Sequence, residues 1–213
     1  MVAAPYEWRS GVKHDCAKVL ELKQVPTGLL RNGLNDTVAL EDDLIFPLVK
    51  SADLKPSKEL VASRYLLLPQ RRITEDTAAL AHSHPLTYAY LMAHASYLDG
   101  RRSSIYRRRP RFAVFGLGDY SFMPYKVAIA GLSKEPHFVL LSPQQGKPIL
   151  VDDTCYQLAF KERSAAQCVC AQLNSTPVLA LLRALTFRAR KRPITKEILM
   201  RLDLNKLSSG VKI

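Results

Sequence analysis

The spacing of apolar residues switches between a strand-like and a helix-like rhythm along this chain. Residues 64–69, RYLLLP, form a short apolar run with an aromatic, closed by Pro69, and fit a strand better than a helix. Strand patterns also cover residues 17–22 and 44–49. Across residues 75–98 the period lengthens. Tyr88, Leu91, Met92, Ala95 and Leu98 fall on one helical stripe, with Ser83 as a cap and Pro85 in the first turn.

From residue 112 to residue 160 short apolar runs recur: RFAVFG, YKVAIAGL, HFVLL, PILV and TCYQLAF, separated by Gly, Pro, Ser and Asp. This pattern predicts a mostly antiparallel sheet. Residues 162–173 and 177–187 then read as helices, with Asn174-Ser175-Thr176-Pro177 as the break and cap between them. Thr195 caps a last short helix running to Leu204. The expected class is α+β: a mostly antiparallel mixed sheet with packed helices. No internal repeat, low-complexity tract or long linker divides the chain. We expect one unit over residues 1–213, with a soft division into strands plus helix (1–100) and sheet plus C-terminal helices (101–213).

At 213 residues, 47% hydrophobic and 23% charged, the composition is that of a folded globular chain with a real core. No run approaches the ~18 apolar residues that a membrane helix needs, and the first residues lack a signal-peptide pattern. The expectation is a cytoplasmic chain without a membrane partner. Cys16, Cys155, Cys168 and Cys170 are expected as reduced thiols. Cys168 and Cys170, two apart on a helix, point away from each other and make a poor zinc pair. His82 and His84 are read as flanking a helix start, not as metal ligands.

Charge changes the picture more. Lys and Arg number 31 against 19 Asp and Glu, a formal charge of +12, which favours a polyanionic partner, nucleic acid first. A basic but unspecialised solvated surface is the plain alternative. Between Gly100 and Gly118 stand Arg101, Arg102, Arg107, Arg108, Arg109 and Arg111, with no acidic residue among them. The planar fork of arginine can grip a phosphate or the O6/N7 edge of guanine with two hydrogen bonds. Tyr106, Phe112, Phe115, Tyr120, Phe122 and Tyr125 are interleaved with the cluster or lie just beyond it, offering faces for bases or sugars. Phe112, Phe115 and Phe122 are better read as ordinary core residues of a strand and turn. Lys126 ends this segment. A second basic stretch holds Arg183, Arg188, Arg190, Lys191, Arg192, Lys196 and Arg201, and Arg71 with Arg72 form a third candidate.

Enzyme chemistry is harder to find. Phe115-Gly116-Leu117-Gly118-Asp119 is the nearest approach to a nucleotide loop, but Pro124 leaves no room for the helix that such a loop opens, so it reads as a turn. Adenine-N6 methyl transfer uses an Asn-Pro-Pro-aromatic loop, and none of the 13 prolines is adjacent to another. Serine-hydrolase, phosphate-loop and metalloprotease signatures are also missing. His14-Asp15-Cys16, consecutive in the chain, makes no nucleophile–base pair. Asp42, Asp43, Asp152 and Asp153 could serve a metal-dependent nuclease, but sit where solvated turn carboxylates are expected. A structural RNA-binding protein is the other alternative.

Taken in order, these elements resemble the target recognition (specificity) domain of TaqI-like adenine-N6 DNA methyltransferases of type II restriction-modification systems. The resemblance spans Ser10-Gly11-Val12-Lys13-His14-Asp15, Phe46-Pro47-Leu48-Val49-Lys50-Ser51-Ala52-Asp53, Tyr65 with Leu68, and the helix from His84-Pro85 through Tyr90-Leu91 to Leu98. It continues through the arginine cluster, Lys126-Val127-Ala128-Ile129-Ala130, Asp153-Thr154-Cys155-Tyr156 and Leu173-Asn174-Ser175. It implies double-stranded DNA as partner and a methyltransferase catalytic domain in cis or in trans. That domain, not this chain, would hold S-adenosylmethionine. Residues that touch bases vary across the family, so the expected DNA contacts rest on charge and aromatic placement alone.

Overall fold

A computed structural model describes residues 6–26, 28–56, 60–186 and 191–203. The chain opens with strand β1 (Arg9–Ser10), the single helical turn α1 (Ala17–Leu20), and strands β2 (Glu21–Gln24), β3 (Leu30–Asn32) and β4 (Thr37–Val38). Strands β5 (Ile45–Val49) and β6 (Arg64–Leu67) precede three short helices, α2 (Leu80–Ser83), α3 (Pro85–Ala93) and α4 (Ala95–Asp99). Next come β7 (Tyr125–Ala130), β8 (Phe138–Leu141), β9 (Leu150–Val151) and β10 (Cys155–Phe160). Helices α5 (Arg163–Leu173), α6 (Thr176–Leu185) and α7 (Lys196–Leu199) complete the described part.

The class is α+β. One sheet runs β1-β10-β7-β8, antiparallel throughout, and the other runs β4-β3-β2-β6-β5-β9, antiparallel except where β9 joins β5. Each sheet borrows a strand from the far part of the chain: β1 pairs with β10, and β9 with β5.

Period-two alternation explains why β7 and β10 are apolar on both faces. Val127, Ile129, Tyr156 and Leu158 face the core under α5, α6 and α7, whereas Ala128, Ala130 and Cys155 face Val49, Val139 and Val151. A third cluster joins β2, β5 and β6 to α3 and α4 through Leu20, Leu22, Phe46, Leu66, Leu91 and Leu98.

Several expected elements form differently. Residues 17–20 make a helical turn, not the start of a strand. Adjacent Val19 and Leu20 are both fully buried, which a strand cannot do against one core, and both donate to the Cys16 carbonyl (3.2 and 2.9 Å). The helix expected to open at Pro85 and run to Leu98 does start there, but a separate turn, α2, precedes it and a break interrupts it. Pro85 keeps His84 out of the helical region (φ −142°, ψ 69°), and the chain bends again at His94. Ser83 caps nothing: its hydroxyl donates to the Ala79 carbonyl, while Asp76 accepts from Ala78 N at the start of this region. Residues 112–114 are buried but form no strand, because side chains take the carbonyls that a ladder would use; half-buried Phe115 makes only an isolated bridge to Lys13. Arg101 holds those of Arg111 and Ala113, and Gln70 that of Val114.

Other expectations hold. Thr195 accepts from Ile198 N to cap α7, but the helix ends at Leu199, short of the expected Leu204: residues 200–202 form a turn, and Leu204, like Phe187, lies outside the described residues. All four cysteines are free thiols. Burial pushes the Cys155 thiol up to about 12, so it stays protonated.

Candidate nucleic-acid interface

The arginine cluster folds as a loop closed by one of its own members. Gly100 ends α4, and Arg101 turns back to donate from Nε to the Leu98 carbonyl (2.8 Å) and from Nη1 to those of Ala113 (2.6 Å) and His14 (3.3 Å). Its Nη2 reaches the Arg111 carbonyl (3.0 Å). The fork thus pins both ends of the loop and the neighbouring segment at His14. Its planar face lies 3.7 Å from the centroid of Tyr106, whose hydroxyl donates to the Lys13 carbonyl and whose ring meets Phe115 edge-on. Burial draws the Arg101 guanidinium below its ordinary value and pushes the Tyr106 phenol well above its own, with Asp15 adding to the latter.

Arg101 and Tyr106, expected to face DNA, are therefore the clamp of the loop. Arg111 is not free either. Asp99, one residue before the acid-free window, receives two of its donors (Nε to Oδ1 3.0 Å, Nη2 to Oδ2 2.6 Å). That fork holds the Asp99 carboxyl below its usual range.

What the clamp presents is Arg102, Arg107, Arg108 and Arg109. All four are exposed, and none has an ion-pair partner among the described residues. Arg109 lies 6.0 Å from the ring of Phe115. Arg108 adopts φ +61°, a left-handed conformation that an L-residue with a long side chain rarely takes.

Arg71 and Arg72 sit beside the same segment. Gln70 ties their turn to Val114, and Glu75 accepts from both their backbone N–H groups (2.8 and 3.2 Å). Arg71 lies over Phe122 (5.2 Å), and exposed Arg72 approaches Asp119 at 3.6 Å. Tyr120, in the same 3-10 turn, is covered by Arg9 at 5.3 Å.

Lys126 is a correction. It is fully buried on β7, on the face it shares with Ala128 and Ala130, and donates to the Met123 carbonyl (2.9 Å). Burial lowers its amine to about 7. The alternation that buries β7 on both faces leaves it no route to the surface. Lys191 and Arg192 belong elsewhere: they precede Ile194, which packs in the core under α5 and bonds the Gly131 carbonyl (3.3 Å). Arg188 and Arg190 lie outside the described residues.

The glycines after the cluster serve packing. A Cβ on Gly116 (φ +74°) would stand 2.2 Å from the Gly11 carbonyl oxygen, and one on Gly118 2.7 Å from the Tyr120 ring. Of the acidic residues considered for a nuclease, Asp42 pairs with Lys147 and Asp43 with His84. Asp153 faces Lys13. Asp152 is not the solvated turn carboxylate expected: it is buried, accepts from the Thr154 amide and hydroxyl, and is raised by that burial. No group of three His, Cys, Asp or Glu side chains converges as a metal site among the described residues.

No family model matches the chain. Over 205 residues it is 41% identical to the Type II methyltransferase M.NspV of Nostoc sp., a match covering 96% of this chain and 42% of that protein. The chain thus spans less than half the length of this relative. Among solved structures it resembles the Type IIL restriction-modification enzyme MmeI, determined in complex with DNA. That likeness has a TM-score of 0.55 and 10% identity, over 89% of this chain and 23% of MmeI. It is a likeness of fold, while the similarity of sequence is to part of a Type II methyltransferase.

Proposed function

We propose that this chain binds double-stranded DNA in a sequence-specific way, as the target recognition part of an adenine-N6 methyltransferase of a restriction-modification system. The observation that carries this reading is the clamped loop with four guanidinium groups that have no ion-pair partner among the described residues. Such a loop concentrates one sign of charge without internal compensation, and Arg108 holds a costly backbone conformation within it. The similarity to a Type II methyltransferase along nearly the whole chain supports the biological setting. The fold shared with part of MmeI is consistent with it.

On this reading Arg102, Arg107, Arg108 and Arg109 approach phosphates or guanine edges, with Arg71 and Arg72 beside them. Arg101 and Tyr106 hold the loop in place without touching DNA. Methyl transfer and S-adenosylmethionine belong to a catalytic domain in cis or in trans, and this chain contributes binding and register.

Selection from a random duplex library tests the reading, followed by salt titration of the chosen site. Arg107→Ala/Arg108→Ala/Arg109→Ala should flatten the slope of log K against log salt by about three, since each lost phosphate contact removes about 0.9. An unchanged slope sinks the placement, and no sequence preference sinks the recognition role. Nucleoside analysis of DNA methylated by the parent protein tests the rest: N6-methyladenine is expected, and 5-methylcytosine overturns it.

A further inference from the structure

Away from the arginine loop, α1, β2 and β3 border a cleft of about 610 Å³ whose lining includes Lys18, Lys23, Arg31 and Arg64. Strand register sets these cations side by side. Lys23 on β2 stands opposite Arg31 of β3 on one flank and opposite Arg64 of β6 on the other. Directly paired residues project to one face, so three like charges form a row across three strands, an arrangement that weakens a sheet.

Only the end of the row is compensated. Arg64 lies 3.3 Å from Asp53 and 3.9 Å from Glu21. Lys18, Lys23 and Arg31 are exposed and have no ion-pair partner among the described residues. Glu21, the one carboxylate lining the cleft among the described residues, is already engaged by His14 and Lys50. Gly33 lets α1 pack tightly on β3, since a Cβ there would stand 2.9 Å from the Lys18 Cα, and this seats Lys18 at the rim.

We propose that this cleft is a second phosphate-binding surface, on which Lys18, Lys23 and Arg31 hold the sugar–phosphate backbone of duplex DNA. The proposal rests on the DNA-binding reading above and extends the contact beyond the loop. With strands about 4.8 Å apart, the row spans roughly 10 Å, wider than one phosphate and matched to several backbone charges. The loop and the cleft share a support: His14, whose carbonyl Arg101 holds, also accepts from Cys16 N at the start of α1.

The test uses the full chain with Lys23→Gln/Arg31→Gln, the loop triple alanine variant, and both sets combined. Removing repelling charges should leave the thermal midpoint at or above that of the parent while the DNA salt slope flattens by about two. The combined variant should lose about five. A slope that flattens for the loop variant but not for the cleft variant overturns the cleft proposal and leaves the DNA reading intact. A parent chain that does not bind duplex DNA overturns both. Tripolyphosphate or structured RNA bound through Lys23 and Arg31 in place of duplex DNA also overturns the proposal.

Discussion

Arg101→Ala removes one guanidinium that serves four backbone carbonyls, those of Leu98, His14, Ala113 and Arg111. Their burial decides the size of the effect. Ala113 is fully buried and His14 is 7% exposed, so water does not readily replace the donor lost to either carbonyl. Each of these two stranded acceptors, being neutral, costs about 1 to 2 kcal/mol. The Leu98 carbonyl keeps the Arg101 backbone N–H (3.3 Å) and the exposed Arg111 carbonyl meets water, so these two add about 1 kcal/mol together. The expected destabilisation is about 3 to 5 kcal/mol. Urea unfolding reads it directly: with m of about 2 kcal/mol/M, the midpoint should fall by roughly 1.5 to 2.5 M at unchanged m. Arg101→Lys should recover only part, because a compact ammonium cannot reach carbonyls on three sides. A loss below about 1 kcal/mol, accompanied by a large drop in DNA affinity, would refute the clamp and place Arg101 on the DNA.

Three further outcomes follow from the same geometry. Arg108→Gly relieves the positive φ, so stability should stay equal or rise by up to about 1 kcal/mol while the DNA salt slope flattens by about one; a clear loss of stability contradicts a loop built to present that side chain. Lys126→Met should raise stability at pH 6 to 7 by about 1 to 3 kcal/mol and leave DNA binding untouched. The folded amine titrates near 7 and the unfolded one near 10.4, so the unfolded chain binds more protons between those values. Stability of the parent therefore rises with pH across that window, and the variant should lose the rise; a retained rise assigns it to another group. At the acid end, burial alone would raise the Glu21 carboxyl, but hydrogen bonds from His14 and Lys50 outweigh it and hold the group low. Its contribution is present above the unfolded value of about 4.3 and disappears as pH falls through the lower folded one. Glu21→Gln should shrink that acid loss in urea titrations at pH 3 to 6, and an unchanged profile removes Glu21 from the account.

The two-residue period of β7 and β10, the apolar run of β6 and the helical rhythm of α5 and α6 were legible because each reports a local rule of burial. Breaks at His84 and His94 were less so. Pro85 reads as a helix start from sequence, but only the structure places α2 before it and turns the chain again at His94. Residues 112–115 misled for a different reason. Phe112, Ala113 and Val114 have the burial of a strand, yet the carbonyls of Ala113 and Val114 are taken by the side chains of Arg101 and Gln70, 12 and 44 positions away.

The row Arg31–Lys23–Arg64 could not be seen along the chain, since it exists only once strand register brings three segments level. Asp99 was overlooked because pairing with Arg111 depends on the loop doubling back.

Composition and order by themselves determined that this chain is a basic α+β protein with an arginine cluster following a helix, because net charge and periodicity are sums over local positions. Which arginines support the loop and which remain free was decided by tertiary structure alone. A guanidinium becomes structural when carbonyls from distant segments converge on it out of reach of water, as they do on Arg101, and it stays available where none do among the described residues, as at Arg102, Arg107, Arg108 and Arg109.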